Sequence, residues 1–276
     1  PVDEDFLLSD HPTLNHFVAY VAKYASGGAD AIASSTSSTA PVETPSAVAV
    51  PSSSEVVGNR RWQVEIEPCS GEAAPLNLAG RILITEDDWG VSAAVAQVLT
   101  GKGFEVVHIG LEPGAKSHRI QEEGERIVHR VDPASSEQMD AFVDALADGP
   151  LAGIIHLAPL RLASMAWSEE TGPSQQVVLS GQAWFGLLKS LDAQFSALQA
   201  GVVASVSAMD GRHGNRGDRF NALQAAAAGV TKSYAHERPA LRCRAFDLHP
   251  DMLMDAEATA ERLVDDLLNI GGEVEI

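Results

Sequence analysis

The stretch from Gly201 to Glu237 constrains this chain more than any other. Gly201-Val202-Val203-Ala204-Ser205-Val206-Ser207 is a short, nearly unbroken apolar run ending on serine, the pattern of a strand buried on both faces. A loop punctuated by Gly211, Gly214 and Gly217 follows, and the alanine-rich segment from Phe220 to Glu237 is expected to be a helix. One such unit cannot bury its own strand. It requires parallel neighbours with helices laid across them.

The rest of the chain supplies those neighbours. Arg60 to Glu67 alternates as a strand with one wet face. Gly80 precedes a buried strand, Arg81-Ile82-Leu83-Ile84-Thr85; a helix is expected over Ser92 to Thr100, and Glu105-Val106-Val107-His108-Ile109-Gly110 forms the next strand. Strand, loop, helix and strand in this order make a right-handed crossover of the nucleotide-binding type. Arg126 to Asp132 reads as a strand, and Ser136 to Leu146 as a helix capped by Ser135. Gly153 to Pro159 reads as a buried strand. A long amphipathic helix over Ser174 to Ala200 offers Val178, Trp184, Leu187, Leu188, Leu191, Phe195 and Leu198 to a core. Leu241 to Leu248 is another strand, Ala256 to Asn269 an amphipathic helix, and Glu273 to Ile276 is again strand-like. The alternation predicts an α/β fold with a doubly wound, mainly parallel sheet and helices on both faces.

With 276 residues, 45% of them hydrophobic, the chain can bury one substantial core. Its formal charge is −19, from 19 basic and 38 acidic residues spread along the sequence. That balance argues against nucleic acid and anionic membrane as partners, since both demand clustered Lys and Arg. Cys69 and Cys243 are too few and too far apart for a disulfide framework or a metal site, and suit buried thiols of a cytoplasmic protein. The histidines show no ligand spacing, so no metal is expected. No apolar run reaches the length of a membrane span, no signal peptide opens the chain, and both ends read as cut from a longer protein.

Upstream of the α/β region the grammar changes. Asp10 suits a helix cap, Pro12 its first turn, and Leu14, Phe17, Val18 and Val21 follow at helical spacing. From Ser26 to Gly58 the composition shifts to Ala, Ser, Thr, Pro, Val and Gly without Lys or Arg. So few large apolar residues cannot offset the entropy of ordering, so residues 26–58 are expected to be a linker.

The organising segment resembles the active-site segment of short-chain dehydrogenases/reductases, in which a strand-end Ser precedes a helix carrying Tyr-x-x-x-Lys. The tail from Ala228 to Glu237 fits that family and sets the register, which puts Ser207 at the Ser position, Phe220 at the Tyr position and Gln224 at the Lys position. Carbonyl reduction needs a phenol to deliver a proton and a cation to lower its pKa. Phe220 has no proton to give and Gln224 no charge. The family's glycine-rich cofactor loop is similarly altered. Thr85-Glu86-Asp87-Asp88-Trp89-Gly90-Val91-Ser92 keeps Gly90 alone, with Glu86 and Ser92 at the other glycine positions. Three carboxylates there would repel a pyrophosphate by more than a helix dipole attracts it. Neither a catalytic residue nor a cofactor-binding residue is therefore expected in this chain.

A degenerate reductase fold after a carrier-like helix and a linker resembles the structural subdomain of a ketoreductase from a multimodular polyketide or polyunsaturated fatty acid synthase. The phrases from Gln224 to Ser233, from His236 to Pro239 and from Cys243 to Asp247 carry that likeness. It implies residues 1–25 as the last helix of an acyl carrier protein, 26–58 as linker, and 59–276 as a truncated Rossmann-like subdomain. It also implies a catalytic ketoreductase half and a carrier domain as partners in cis, with NADPH in that absent half and phosphopantetheine on the absent part of the carrier. Two other readings stay open at this stage: a reductase working with atypical residues, and a free-standing degenerate nucleotide-fold module that binds a partner.

Overall fold

A computed structural model of the chain describes residues 67, 76, 78–124, 126–146, 149–163, 177–216, 220–269, 271 and 273–276. The carrier-like helix, the linker and the strand expected over Arg60 to Glu67 (Glu67 excepted) lie outside the described residues.

Strands β1 (Arg81–Thr85), β2 (Glu105–Leu111), β3 (Arg119–Glu123), β4 (Arg126–Val131), β5 (Leu151–His156), β6 (Gly201–Ser207) and β7 (Leu241–Asp247) form one seven-stranded sheet in the order β3-β4-β2-β1-β5-β6-β7. Every pairing is parallel except β3 with β4. Helices α1 (Val91–Gly101) and α5 (Ala256–Asn269) cover one face; α2 (Ser136–Ala145), α3 (Ala183–Ser196) and α4 (Ala225–Glu237) cover the other. The fold is thus α/β, Rossmann-like and doubly wound. Strand order reverses between β1 and β5, the place where open α/β sheets present their crevice.

Two cores follow from strand alternation. Leu83, Ile154 and Val203 point towards Trp184, Leu187, Leu191 and Phe195 of α3. Ile82, Ile84, Val202 and Ala204 point towards Val95 and Leu99 of α1 and Leu263 and Val264 of α5. The central strands are buried on both sides, hence their unbroken apolar runs. Gly153 allows the closest approach of β5 to β6: a Cβ there would stand 2.2 Å from the Val202 carbonyl oxygen.

Several expectations are corrected. Of the long helix read over Ser174 to Ala200, residues 174–176 lie outside the described residues; a π-helical turn at Val178–Gln182 precedes an α-helix at Ala183–Ser196, which ends four residues early. The strand read over Gly153 to Pro159 begins at Leu151 and stops at His156, and Ala158–Leu162 is a buried 3-10 turn. Phe220 lies outside any helix: Asn221 caps a 3-10 turn, Ala222–Gln224, and α4 starts only at Ala225. Strand β3 was not anticipated. It replaces the crossover helix that usually joins parallel neighbours such as β2 and β4, and returns to β4 through a tight turn at Gly124, whose φ is 65°. Finally, Ala245 N donates to Val274 O at 2.6 Å and Ile276 N to Ala245 O at 2.9 Å, a parallel bridge opposite Glu275 that extends the sheet beyond β7.

Candidate functional site

The carboxyl ends of β1, β5, β6 and β7 converge with the amino end of α1, and the altered motif residues all lie along that edge. Ordinary helix starts leave several backbone N–H groups without partners. Here the Asp87 carboxylate takes two of them and one from the loop before: Oδ1 accepts from Ser92 N at 2.8 Å, and Oδ2 from Val91 N at 3.2 Å and from Trp89 N of the loop at 2.9 Å. In return Asp87 N donates to Ser92 Oγ at 3.4 Å, a reciprocal arrangement like a capping box. Gly90, at φ 83°, supplies the left-handed residue that turns these amides inward.

The flanking carboxylates also have partners, though the carboxylates around this loop still outnumber the cations. Glu86 pairs with Arg130 at 2.7 Å and Asp88 with Arg161 at 3.4 Å. Arg130 bonds Glu123 and Gln121 as well, and holds the Glu123 carboxyl below its ordinary range chiefly through that side-chain hydrogen bond. Gly110 makes room for this guanidinium: a Cβ there would stand 2.3 Å from Arg130 Nη1. The remaining space between these groups is about 190 Å³, lined by Glu86, Asp87, Asp88, Gly110, Leu111, Glu112, Arg130 and Arg161. That is below the roughly 300–1,000 Å³ typical of ligand pockets.

At the strand-order reversal, Thr85 Oγ1 accepts from Leu157 N at 2.8 Å and Ala158 N at 2.9 Å. Its own proton therefore goes to His156 Nδ1, 3.1 Å away, which leaves His156 Nε2–H to donate to the Ser180 carbonyl at 3.2 Å. The imidazole is fully buried and stacks on Trp184 at 4.9 Å. Burial pushes it down to about 4 despite the opposing pull of the Ser180 carbonyl, so it is neutral at pH 7. Trp89 Nε1 donates to Leu160 O at 2.9 Å.

At the end of β6, Ser207 Oγ bonds Phe246 O and Asp247 Oδ1, both at 3.1 Å, and is 2% exposed. Gln224 is fully buried and grips Ala208 at two points: Oε1 accepts from Ala208 N at 2.9 Å and Nε2 donates to Ala208 O at 3.2 Å. Phe220 is half-buried and packs against Gly214, where a Cβ would stand 2.7 Å from the ring. The residues that follow wrap around two carboxylates. Asp247 accepts from the amides of Met209, Arg212 and His213 at 2.8, 3.0 and 2.8 Å. Asp210 accepts from those of Arg212, Gly214 and Arg216 at 2.8, 2.8 and 2.7 Å. Burial raises the Asp210 pKa, but the hydrogen bonds outweigh it and leave the carboxyl below its ordinary range.

The structure thus brings the motif positions Thr85, Asp87, Ser92, Ser207 and Gln224 to one edge, each hydrogen-bonded within the chain. Tyr234 and Lys232 stand elsewhere: Tyr234 Oη bonds Asp192 at 3.1 Å and Lys232 pairs with Glu275 at 2.8 Å. Sequence reasoning missed His156, Asp210 and Asp247. The strand-end positions of His156 and Asp247 were the available signal. The fold also joins His118 to His129, with 3.3 Å between ring nitrogens, though among the described residues no group of three His, Cys, Asp or Glu could hold a metal ion. No helix among the described residues is long and apolar enough to cross a membrane.

No protein-family model and no curated protein matches this sequence. Solved structures do resemble it. A multidomain structure of a keto acid-selecting nonribosomal peptide synthetase module, with adenylation, ketoreductase and pseudo-Asub domains, superposes with TM-score 0.56 at 16% identity, over 76% of this chain and 16% of that one. A short-chain dehydrogenase/reductase from Brucella ovis, in complex with a partially ordered NAD, gives TM-score 0.50 at 17% identity, over 71% of this chain and 99% of its own. A Serratia marcescens short-chain dehydrogenase/reductase mutant gives 0.51 at 13%, over 68% and 89%. At such identities the likeness shows the fold alone, an α/β, Rossmann-like sheet.

Proposed function

We propose that this chain is the non-catalytic half of a synthase ketoreductase: a pseudo-reductase fold that supports an NADPH-dependent catalytic half elsewhere in a polyketide or fatty acid synthase. In this reading the catalytic half reduces β-ketoacyl thioesters on a phosphopantetheine-bearing carrier, and residues 1–25, 26–58 and 59–276 are carrier helix, linker and structural subdomain. The observation that carries the reading is the self-filled crevice. A dinucleotide needs the first amides of α1 for its pyrophosphate, and Asp87 already holds them. Across the strand-order reversal Thr85 Oγ1 ties the end of β1 to the amides of Leu157 and Ala158 beyond β5. The residues present do not fit NADPH. Nor do they supply an acid: the phenol and ammonium positions hold Phe220 and Gln224, the latter committed to the backbone of Ala208. The likeness to a ketoreductase-containing synthetase module is consistent with such a setting, and the cytoplasm with its chemistry.

The test is direct. The chain is titrated with NADPH while cofactor fluorescence is followed, then mixed with NADPH and a β-ketoacyl thioester. No saturable change up to about 1 mM cofactor, a weak-binding limit of about −4 kcal/mol, and no turnover are expected. Saturable binding with NADPH oxidation would establish an active reductase instead. The supporting role is checked by co-expression with the adjoining catalytic half, whose soluble yield and NADPH turnover should depend on this chain.

A further inference from the structure

Among the described residues, the strand that replaces the crossover helix is the last on its side of the sheet. Among the described residues β3 pairs only with β4, so its outer backbone edge has no strand beside it. Such an edge is a template for another strand. It also presents unusual apolar surface for a chain this acidic. Ile120 and Ile127 are 58% and 55% exposed and share a face, since Ile120 lies opposite His129, two residues from Ile127, and Glu122 lies opposite Ile127.

Charged residues on an edge usually discourage pairing between like strands. The order of charges in β3, Arg119-Ile120-Gln121-Glu122-Glu123, has a different consequence. Its two ends, Arg119 and Glu123, carry opposite charges at equal distance from Gln121. When two copies run antiparallel with Gln121 on the two-fold axis, Arg119 of each meets Glu123 of the other, twice per pair, and Gln121 meets itself. Opposite charges directly across strands are favourable. On the second face Ile120 of each copy meets the methylene stem of Glu122 of the other, with Ile127 on the far side of it, so the carboxylate can stay in water while its stem covers both isoleucines.

We propose that β3 is a self-association edge whose partner is a second copy of this chain, joined in antiparallel register about Gln121 into one continuous sheet. The contact is isologous and closes as a dimer. Five residues per side bury less than the roughly 1,000 Å² of a stable interface, so the dimer is weak and concentration-dependent, and salt weakens it further.

Disulfide trapping in the full chain, with Cys69 replaced by Ser, tests the register. Residues directly opposite in an antiparallel pair have Cα atoms about 4.5–5.5 Å apart, within reach of a disulfide, whereas diagonal neighbours about 7–8 Å apart are not. Gln121→Cys is therefore expected to form a covalent dimer under mild oxidation, and the more exposed Ile120→Cys to stay monomeric. Sedimentation of the unmodified chain at about 100 µM should show dimer, and Arg119→Glu, which sets Glu against Glu123 at both ends, should weaken association at least about tenfold. A monomeric unmodified chain at that concentration overturns the proposal, as do equal cross-linking at both positions and no cross-link at Gln121.

Discussion

Replacing Asp87 by Ala removes the acceptor for three amides at and just before the start of α1. Loss of a helix cap costs about 0.5–2 kcal/mol, and a hydrogen bond to a charged group contributes about 1.5–3 kcal/mol. All three bonds are only part-buried, so water replaces much of what is lost, and about 2 kcal/mol is the expected net destabilisation. For a domain of this size that lowers Tm by about 4–8 °C. Asp87→Asn should fare little better, because its amide NH₂ would face N–H groups on one side. The decisive arm adds sulfate. If Asp87 stands in for an anion, the uncovered amides of Asp87→Ala should bind sulfate, and the variant should regain more stability in sulfate than the unmodified chain does at equal ionic strength. Thermal and urea unfolding measure both effects. A loss below about 0.5 kcal/mol, or equal sulfate responses in the two proteins, would refute the reasoning.

Gln224→Lys would place an ammonium in a fully buried site and strip Ala208 of its acceptor; about 3 kcal/mol or more should be lost, and even paired with Phe220→Tyr it should give no NADPH oxidation in the turnover assay. His156 has its pKa depressed to about 4 against an ordinary 6.5, so the unfolded chain binds more protons between those values. Stability should therefore fall as pH drops from about 6.5 to 4, with about 3 kcal/mol from this group; urea midpoints across that range should fall less steeply for His156→Asn. Gly153→Ala drives a Cβ into the Val202 backbone, and is expected to cost more than about 3 kcal/mol and to reduce soluble yield.

The supporting role of the altered side chains also bears on how they should be read in sequence. Asp87, Gln224 and Asp247 all accept hydrogen bonds from backbone amides. Each satisfies backbone groups that a bound cofactor, substrate or water would otherwise serve, and a buried polar group left unpaired is costly.

Much of this was legible without coordinates. Runs such as Ile82-Leu83-Ile84 and Val202-Val203-Ala204 dictate buried parallel strands, because only a sheet covered on both faces needs apolar residues at every position. The cap at Ser135 could likewise be read directly, since it depends on residue type and local spacing. What only the tertiary structure decided is how distant polar groups meet. β3 carries a single isoleucine, so no alternation betrays an edge strand wet on both sides. Thr85 and His156 lie 71 residues apart, and no periodicity announces a hydrogen bond between them. Periodicity reports which face of an element meets the core; the pairing of polar atoms across the sheet's carboxyl edge depends on strand order, which is fixed only when the chain folds.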